Sequence, residues 1–171
     1  GVELFEKIID AGHIAEAAAR GIMWQLGTAL SYLHAKGIAH RDIKPENVLV
    51  GDGPNPKVIL ADFGLSVKIH SSSPAALRRF CGTPLYVAPE IVCRATHGFK
   101  ADVYSLGATG YFMATGEKPF EGDTQPTILL QHMKSPPREL NEVKEGLSEG
   151  LSNVLRNMMA KRPEKRYASL K

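Results

Sequence analysis

His40-Arg41-Asp42-Ile43-Lys44-Pro45-Glu46-Asn47 runs into Val48-Leu49-Val50, and Val58-Ile59-Leu60 runs out into Ala61-Asp62-Phe63-Gly64. The two aliphatic triplets flank Gly51-Asp52-Gly53-Pro54-Asn55-Pro56, a dense turn signal, so the stretch reads as a β-hairpin with a long loop. A hairpin returns the chain to its starting point, which brings Asp42, Lys44 and Asn47 near Asp62. Such a set suits phosphoryl transfer. Asn47 and Asp62 offer the hard oxygens that Mg²⁺ takes. Asp42 offers a proton acceptor for a hydroxyl nucleophile, and Lys44 a positive charge for the transferring group.

Around the hairpin the period is helical. Ile14, Ala18, Ile22, Leu26, Leu30 and Leu33 recur at steps of three or four, which predicts a helix from Ile14 to Ala35 with one apolar face. Gly37 is placed to end it in a left-handed conformation. After the hairpin an irregular stretch marked by proline and serine reaches about Glu90, with Ser71-Ser72-Ser73-Pro74 as a loop. Ala101 to Ala114 reads as a helix apolar on all sides, and so central to a core. Ser152 to Ala160 reads as an amphipathic helix with Val154, Leu155, Met158 and Met159 as its apolar set. The expected fold is mostly α with one small β-hairpin inserted early.

Composition narrows the class. The chain has 171 residues, enough for one domain with a core, with 43% hydrophobic and 23% charged residues. Nothing in these values suggests a disordered, fibrous or membrane protein. The longest uncharged apolar stretch, Val103 to Gly116, is shorter than the ~18 residues of a spanning helix. A net charge of +3, without a basic stripe interleaved with aromatics, argues against nucleic acid. Arg78-Arg79, Lys161-Arg162 and Lys165-Arg166 read as solvated faces. Cys81 and Cys93 form no disulfide framework and have no metal-ligand spacing, so free thiols in a reducing compartment are expected. The chain opens Gly1-Val2-Glu3, without Met and without the pattern of a signal peptide; a fragment of a longer protein is expected.

His40 to Asn47, Asp62 to Gly64 and Ala88-Pro89-Glu90 stand in the order of a catalytic loop, a DFG motif and an APE motif. On these residues the sequence resembles the eukaryotic-type protein kinases. The resemblance covers the whole chain, beginning with Gly1-Val2-Glu3-Leu4-Phe5 as the segment after the hinge. Lys44 after Ile43, and Gly82-Thr83-Pro84-Leu85-Tyr86, resemble the Ser/Thr-specific branch and, within it, the calmodulin-dependent group. The resemblance implies that residues 1–171 are the C-terminal lobe of the kinase α+β fold. That lobe would run from the post-hinge helix to just before the last helix, and the N-terminal lobe with its glycine-rich loop and strand Lys would be absent. It implies transfer of the γ-phosphate of ATP to Ser/Thr hydroxyls of protein substrates, with ATP and Mg²⁺ as cofactors. It also implies an intracellular, cytoplasmic setting, with no nucleic-acid partner and no membrane segment.

Carried over residue by residue, the resemblance makes Asp42 the catalytic base, Lys44 a γ-phosphate contact and Thr83 a bridge toward both. Asn47 and Asp62 would hold Mg²⁺. Glu3 would reach the ATP ribose with Glu46 beside the nucleotide, and Leu49 would floor the adenine. His40 and Phe63 would stack in a column joining the lobes, with Gly64 completing their motif. Glu90 would pair with Arg166, and Asp102 would accept backbone N–H groups of the catalytic loop. Arg41 corresponds to the residue that meets an activation-loop phosphate, yet the usual acceptor position holds Arg79. Either Ser71, Ser72 or Ser73 supplies the phosphate, or activity needs none; the second is favoured. Thr109 stands where a larger apolar residue usually underlies the adenine. Glu3 and Glu46 would select Arg three residues before the acceptor. Phe112 removes an acidic selector for the position two before it. Leu85 would suit an apolar residue after the acceptor. Two other readings fit less well: a pseudokinase-type binding or scaffold module, and a small-molecule phosphotransferase.

Overall fold

The computed structural model describes residues 1–53, 56–69 and 73–170. Its elements are β1 (Val2–Glu3), α1 (Leu4–Ala11), α2 (Glu16–Ala35), β2 (Ile38–Ala39), β3 (Val48–Val50), β4 (Val58–Leu60), β5 (Val67–Lys68), α3 (Pro89–Val92), α4 (Phe99–Thr115), α5 (Gln125–Lys134), α6 (Leu140–Val143) and α7 (Glu149–Met158).

The centre is α4, in which every residue from Ala101 to Thr115 is buried. A helix this apolar on all sides must be enclosed, and α2 and α7 pack against it. They approach closely because two α4 positions carry no side chain. A Cβ on Gly107 would stand 2.8 Å from Met158 Cβ, and one on Gly110 would stand 2.8 Å from Leu155 Cδ2 and 2.9 Å from Met23 Cε.

The expected long N-terminal helix is present as α2 but starts two residues late. Ala15 is extended (φ −54°, ψ 140°), and Ile14 N–H donates to the Met113 carbonyl at 2.8 Å, so the chain is tied to α4 before it turns helical. Gly37, at φ 76°, follows α2 and donates its N–H to the His34 carbonyl at 2.9 Å. The last expected helix is shifted toward the N-terminus. Ser148 Oγ accepts from Leu151 N–H at 3.1 Å and starts α7 at Glu149. Val154 leaves the predicted apolar set, being 42% exposed, whereas Leu155, Met158 and Met159 are buried.

β3 and β4 form the expected antiparallel hairpin, with Val48 opposite Leu60 and Val50 opposite Val58. Pro54 and Asn55 of its turn lie outside the described residues. Two features were not expected from the sequence. β1 adds a third strand, in the order β1-β3-β4, and β2 pairs antiparallel with β5 in a separate two-stranded ladder. Cys81 is buried, Cys93 is exposed, and both are free. Among the described residues no helix is long and apolar enough to cross a membrane.

One ion pair pins the C-terminal segment to α3. Arg166 is 3% and Glu90 8% exposed. The guanidinium Nη1 and Nη2 donate to the two Glu90 carboxylate oxygens at 2.7 and 2.8 Å. The Arg166 donors also reach the carbonyls of Ala160 (2.7 Å), Lys100 (2.8 Å) and Lys161 (3.1 Å), so all five N–H groups are used. Removing either partner strands a buried charge, at a cost of about 3–5 kcal/mol. Glu90→Ala and Arg166→Ala are each expected to destabilise by that amount. A double-mutant cycle in denaturant is expected to show strong coupling; additive losses would show that the pair contributes nothing jointly.

Candidate active site

The hairpin ladder continues one step past its strands. Ala61 N–H donates to the Asn47 carbonyl at 2.8 Å, which sets Asn47 beside Ala61 at the hairpin mouth, with Asp62 next in the chain. Asn47 closes the short 3-10 turn Pro45–Asn47. Its Nδ2 donates back to the Asp42 carbonyl (2.8 Å) and to Asp42 Oδ2 (3.1 Å).

Asp42 is 8% exposed and fully engaged. Its Oδ1 accepts from the Thr83 hydroxyl at 2.9 Å, and its Oδ2 faces Lys44 Nζ at 3.0 Å. Lys44 Nζ also donates to Thr83 Oγ1 at 3.0 Å. The structure thus joins Asp42, Lys44, Asn47 and Thr83 in one network, although Thr83 lies 41 positions from Asp42. Gly82 makes this approach feasible. It sits at φ 93°, and a Cβ there would stand 2.9 Å from the Arg41 carbonyl.

The loop backbone is held from α4. The Asp102 carboxylate is completely buried and accepts from His40 N–H (2.9 Å) and Arg41 N–H (2.7 Å), with His34 Nε2 at 2.8 Å on Oδ2. His40 Nε2 lies 3.0 Å from the Ala61 carbonyl, and its ring meets Phe63 edge-on at 5.0 Å between centroids. Asp62 is exposed, adopts φ 54°, and accepts from Gly64 N–H at 3.0 Å through Oδ1. The donor chemistry fits Mg²⁺. Asn47 spends its amide N–H on Asp42, which leaves its carbonyl oxygen to pair with the carboxylate of Asp62 as hard oxygen ligands.

Glu3 and Leu49 are direct cross-strand partners in β1 and β3, and Leu49 is opposite Ile59, which is 47% exposed. Glu46 is half-buried, and its Oε2 is buried with no hydrogen-bond partner. Nearby Tyr86 is 1% exposed; burial, and secondly the charge of Glu46, push its phenol well above the usual range, so it stays protonated. Thr109 is completely buried with an unpartnered hydroxyl.

Arg41 does not wait for a partner. At φ 68°, it donates from Nε to the Leu65 carbonyl (2.8 Å) and from Nη1 to the Ala76 carbonyl (2.9 Å). The same stretch is fixed by His97 N–H to the Leu77 carbonyl at 3.0 Å. Ser73 is exposed; Ser71 and Ser72 lie outside the described residues.

Sequence reasoning missed His34, whose bond to Asp102 spans 68 positions. It also missed Ser105, whose hydroxyl donates to the Tyr86 carbonyl at 2.8 Å. Neither carries a periodic or motif signal; only their polarity on otherwise apolar helix stretches marks them.

Residues 1–171 match the protein kinase domain family. The chain belongs to the protein kinase family. It is 35% identical over 168 residues to the calcium/calmodulin-dependent protein kinase type 1B of Homo sapiens, covering 98% of this chain and 48% of that protein. It is 40% identical over 136 residues to myosin light chain kinase A of Dictyostelium discoideum, covering 79% of this chain and 45% of that protein. The type I calcium/calmodulin-dependent kinase of Schizosaccharomyces pombe is 35% identical over 170 residues, covering 99% of this chain and 51% of that protein. The kinase chain spans about half the length of the curated relatives it matches.

The two Arg41 side-chain bonds are expected to hold Leu65 and Ala76 against the loop that carries Arg41. Charge-assisted bonds of this kind contribute about 1.5–3 kcal/mol each, and proteolysis tracks the open population. Arg41→Gln is therefore expected to speed tryptic cleavage at Arg78 and Arg79 by roughly tenfold or more. An unchanged cleavage rate would remove the clasp from the account.

Proposed function

We propose that this chain is the C-terminal lobe of a Ser/Thr protein kinase and carries the groups that move the γ-phosphate of ATP to a protein hydroxyl. The observation that carries the reading is the network of Asp42, Lys44, Thr83 and Asn47, linked at 2.8 to 3.1 Å, at the mouth of the hairpin from which Asp62 emerges. The relatives named myosin light chain kinase and calcium/calmodulin-dependent protein kinase support a protein acceptor.

In this reading Asp42 accepts the proton of the substrate hydroxyl as its oxygen bonds to the γ-phosphorus and the bond to the leaving ADP oxygen breaks. Lys44, tethered between Asp42 and Thr83, stays beside the acceptor and offers its charge to the phosphoryl oxygens. Thr83 ties the peptide-docking segment to the base, so acceptor and base move together. Asn47 and Asp62 hold Mg²⁺, which when bound neutralises phosphate charge. Glu3 serves the ribose and Leu49 lies under the adenine; Glu46 lies close by.

Substrate choice follows from charge. Glu46, half-buried, and Glu3 are the two carboxylates that would hold an arginine three residues before the phosphoacceptor. At the position two before, Phe112 is buried and already carries Lys118 Nζ 6.0 Å from its ring centroid, which leaves no welcome for a second cation. Activity without a segment phosphate is supported by the Arg41 side chain, which is engaged by main-chain carbonyls.

In the full-length protein, Asp42→Asn is expected to cut kcat by roughly 10²–10⁴ while ATP affinity barely changes, and steady-state kinetics check both. Retention of more than half the wild-type kcat would sink the assignment. A positional peptide library on the same protein is expected to select Arg three residues before Ser/Thr, with an apolar residue after it. Indifference at that upstream position, or a strong demand for Arg two residues before, would count against the Glu3/Glu46 pairing.

A further inference from the structure

The segment Gly82–Val87, which docks the peptide in the proposed reading, is anchored at two points. At one end the Thr83 hydroxyl is held by Asp42 and Lys44. At the other the Tyr86 carbonyl is held by Ser105 of α4, and Tyr86 N–H turns back to the Thr83 carbonyl at 3.0 Å. Between the anchors lies Leu85. Its side chain lines an open cleft of about 630 Å³ together with Lys118, Glu121, Gly122, Asp123 and Ile128.

Ile128 belongs to α5. One helical turn later, on the same face, α5 carries His132. This imidazole has no exposed surface. Its Nδ1 lies 2.8 Å from the Tyr104 hydroxyl of α4, and its ring is flanked edge-on by Phe120 at 4.7 Å. Its other nitrogen, Nε2, is buried with no hydrogen-bond partner. Buried polar groups are rarely left so, and a histidine is a poor space-filler where a leucine would serve.

Burial, and next the charge of Lys161, lower the His132 pKa to about 3, so the ring is neutral; the Leu85 main-chain carbonyl acts in the opposite direction. That carbonyl is therefore close to the ring, although it does not satisfy Nε2. The Tyr104 phenol, raised well beyond its usual range by burial, keeps its proton and can give it to Nδ1. A neutral imidazole accepting at Nδ1 carries its own proton on Nε2, the ring nitrogen left without a partner.

We propose that His132 is a positioning residue for the protein substrate: its Nε2–H closes on the Leu85 carbonyl when a peptide occupies the cleft, and so fixes the docking segment between Thr83 and Tyr86. The proposal rests on the Ser/Thr kinase reading. It predicts that His132 acts on peptide affinity and leaves nucleotide affinity alone, because the residue touches neither Asp62 nor the Glu3–Leu49 face.

The test is steady-state kinetics of the full-length protein with one Ser peptide and ATP varied separately, with thermal melts to establish folding. His132→Asn retains a group at the Tyr104 side and loses the Nε2 donor. His132→Gln can bring an amide N–H to the Nε2 position. A single lost hydrogen bond corresponds to roughly a tenfold change. His132→Asn is thus expected to raise the peptide KM about five- to tenfold at unchanged ATP KM, and His132→Gln to return it to within about twofold of wild type. An unchanged peptide KM in His132→Asn, an equal rise in both KM values, or a failure of Gln to restore would each overturn the proposal while leaving the kinase reading intact. Absence of Ser/Thr transfer by the wild-type protein would overturn the reading itself, and this proposal with it. Should neither variant fold, the His132 Nε2–H resonance of the wild-type protein decides. A downfield move on adding peptide supports the bond, and an unmoved resonance refutes it.

Discussion

A carboxylate with no exposed surface is tolerated only where donors surround it, and Asp102 is such a group. Its oxygens take the N–H groups of His40 and Arg41 and the Nε2 of His34. Burying this charge in the first turn of α4 therefore obliges the loop before the hairpin to lie against the helix with two successive N–H groups turned inward. Arg41 adopts φ 68° at that point. A non-glycine residue there costs of order 1–3 kcal/mol, which charge-assisted bonds to a desolvated carboxylate can offset. Asp42 is the next residue, so the same bend sets where its side chain leaves the backbone. The Asp42–Lys44–Thr83–Asn47 network follows from the requirement to satisfy Asp102.

The same helix governs more than the loop. Successive helix positions point in directions about 100° apart, so residues close together in sequence can serve different neighbours. Asp102 holds the loop, Tyr104 bonds His132 of α5, and Ser105 holds the Tyr86 carbonyl. Only a helix enclosed on every side can bind three separate structures in this way. Enclosure in turn requires close neighbours, which Gly107 and Gly110 permit. Arg166 extends the arrangement: its guanidinium lies 4.8 Å from the Tyr104 ring centroid while it pairs with Glu90.

What the sequence made legible was the part written in long patterns. α2 follows from periodicity over some twenty residues, α4 from an apolar run of helical length, and the hairpin from two aliphatic triplets around a turn. β1, β2 and β5 are two residues each, too short for alternation to show, and β2 meets β5 only because the chain returns after 27 intervening positions. α5 has a proline in its first turn and a cap from Thr124 in place of a strong apolar stripe. The nearness of Asp42, Asn47 and Asp62 could be read from the hairpin because that inference needs only a chain reversal. Asp102 and Arg166 could be placed only through resemblance, since a buried charge and a surface charge are written with the same letter. His34, Ser105 and His132 were missed. Each acts through one long-range bond that leaves no trace in local spacing.

Arg41 joins these levels in a single residue. Its main-chain N–H belongs to Asp102, and its side chain belongs to the carbonyls of Leu65 and Ala76. The central helix is thereby connected to the segment after the DFG motif through one residue and no added group. These two bonds use Nε and one Nη1 N–H of the five guanidinium donors, so a phosphate on that segment could meet only the remaining donors while both carbonyls stay bound. Arg79 stands where the resemblance would put the usual phosphoacceptor, and an arginine side chain has no hydroxyl to carry a phosphate. The Leu65 and Ala76 carbonyls are held by the residue preceding the proposed base. Loosening that residue should then disturb segment and base together.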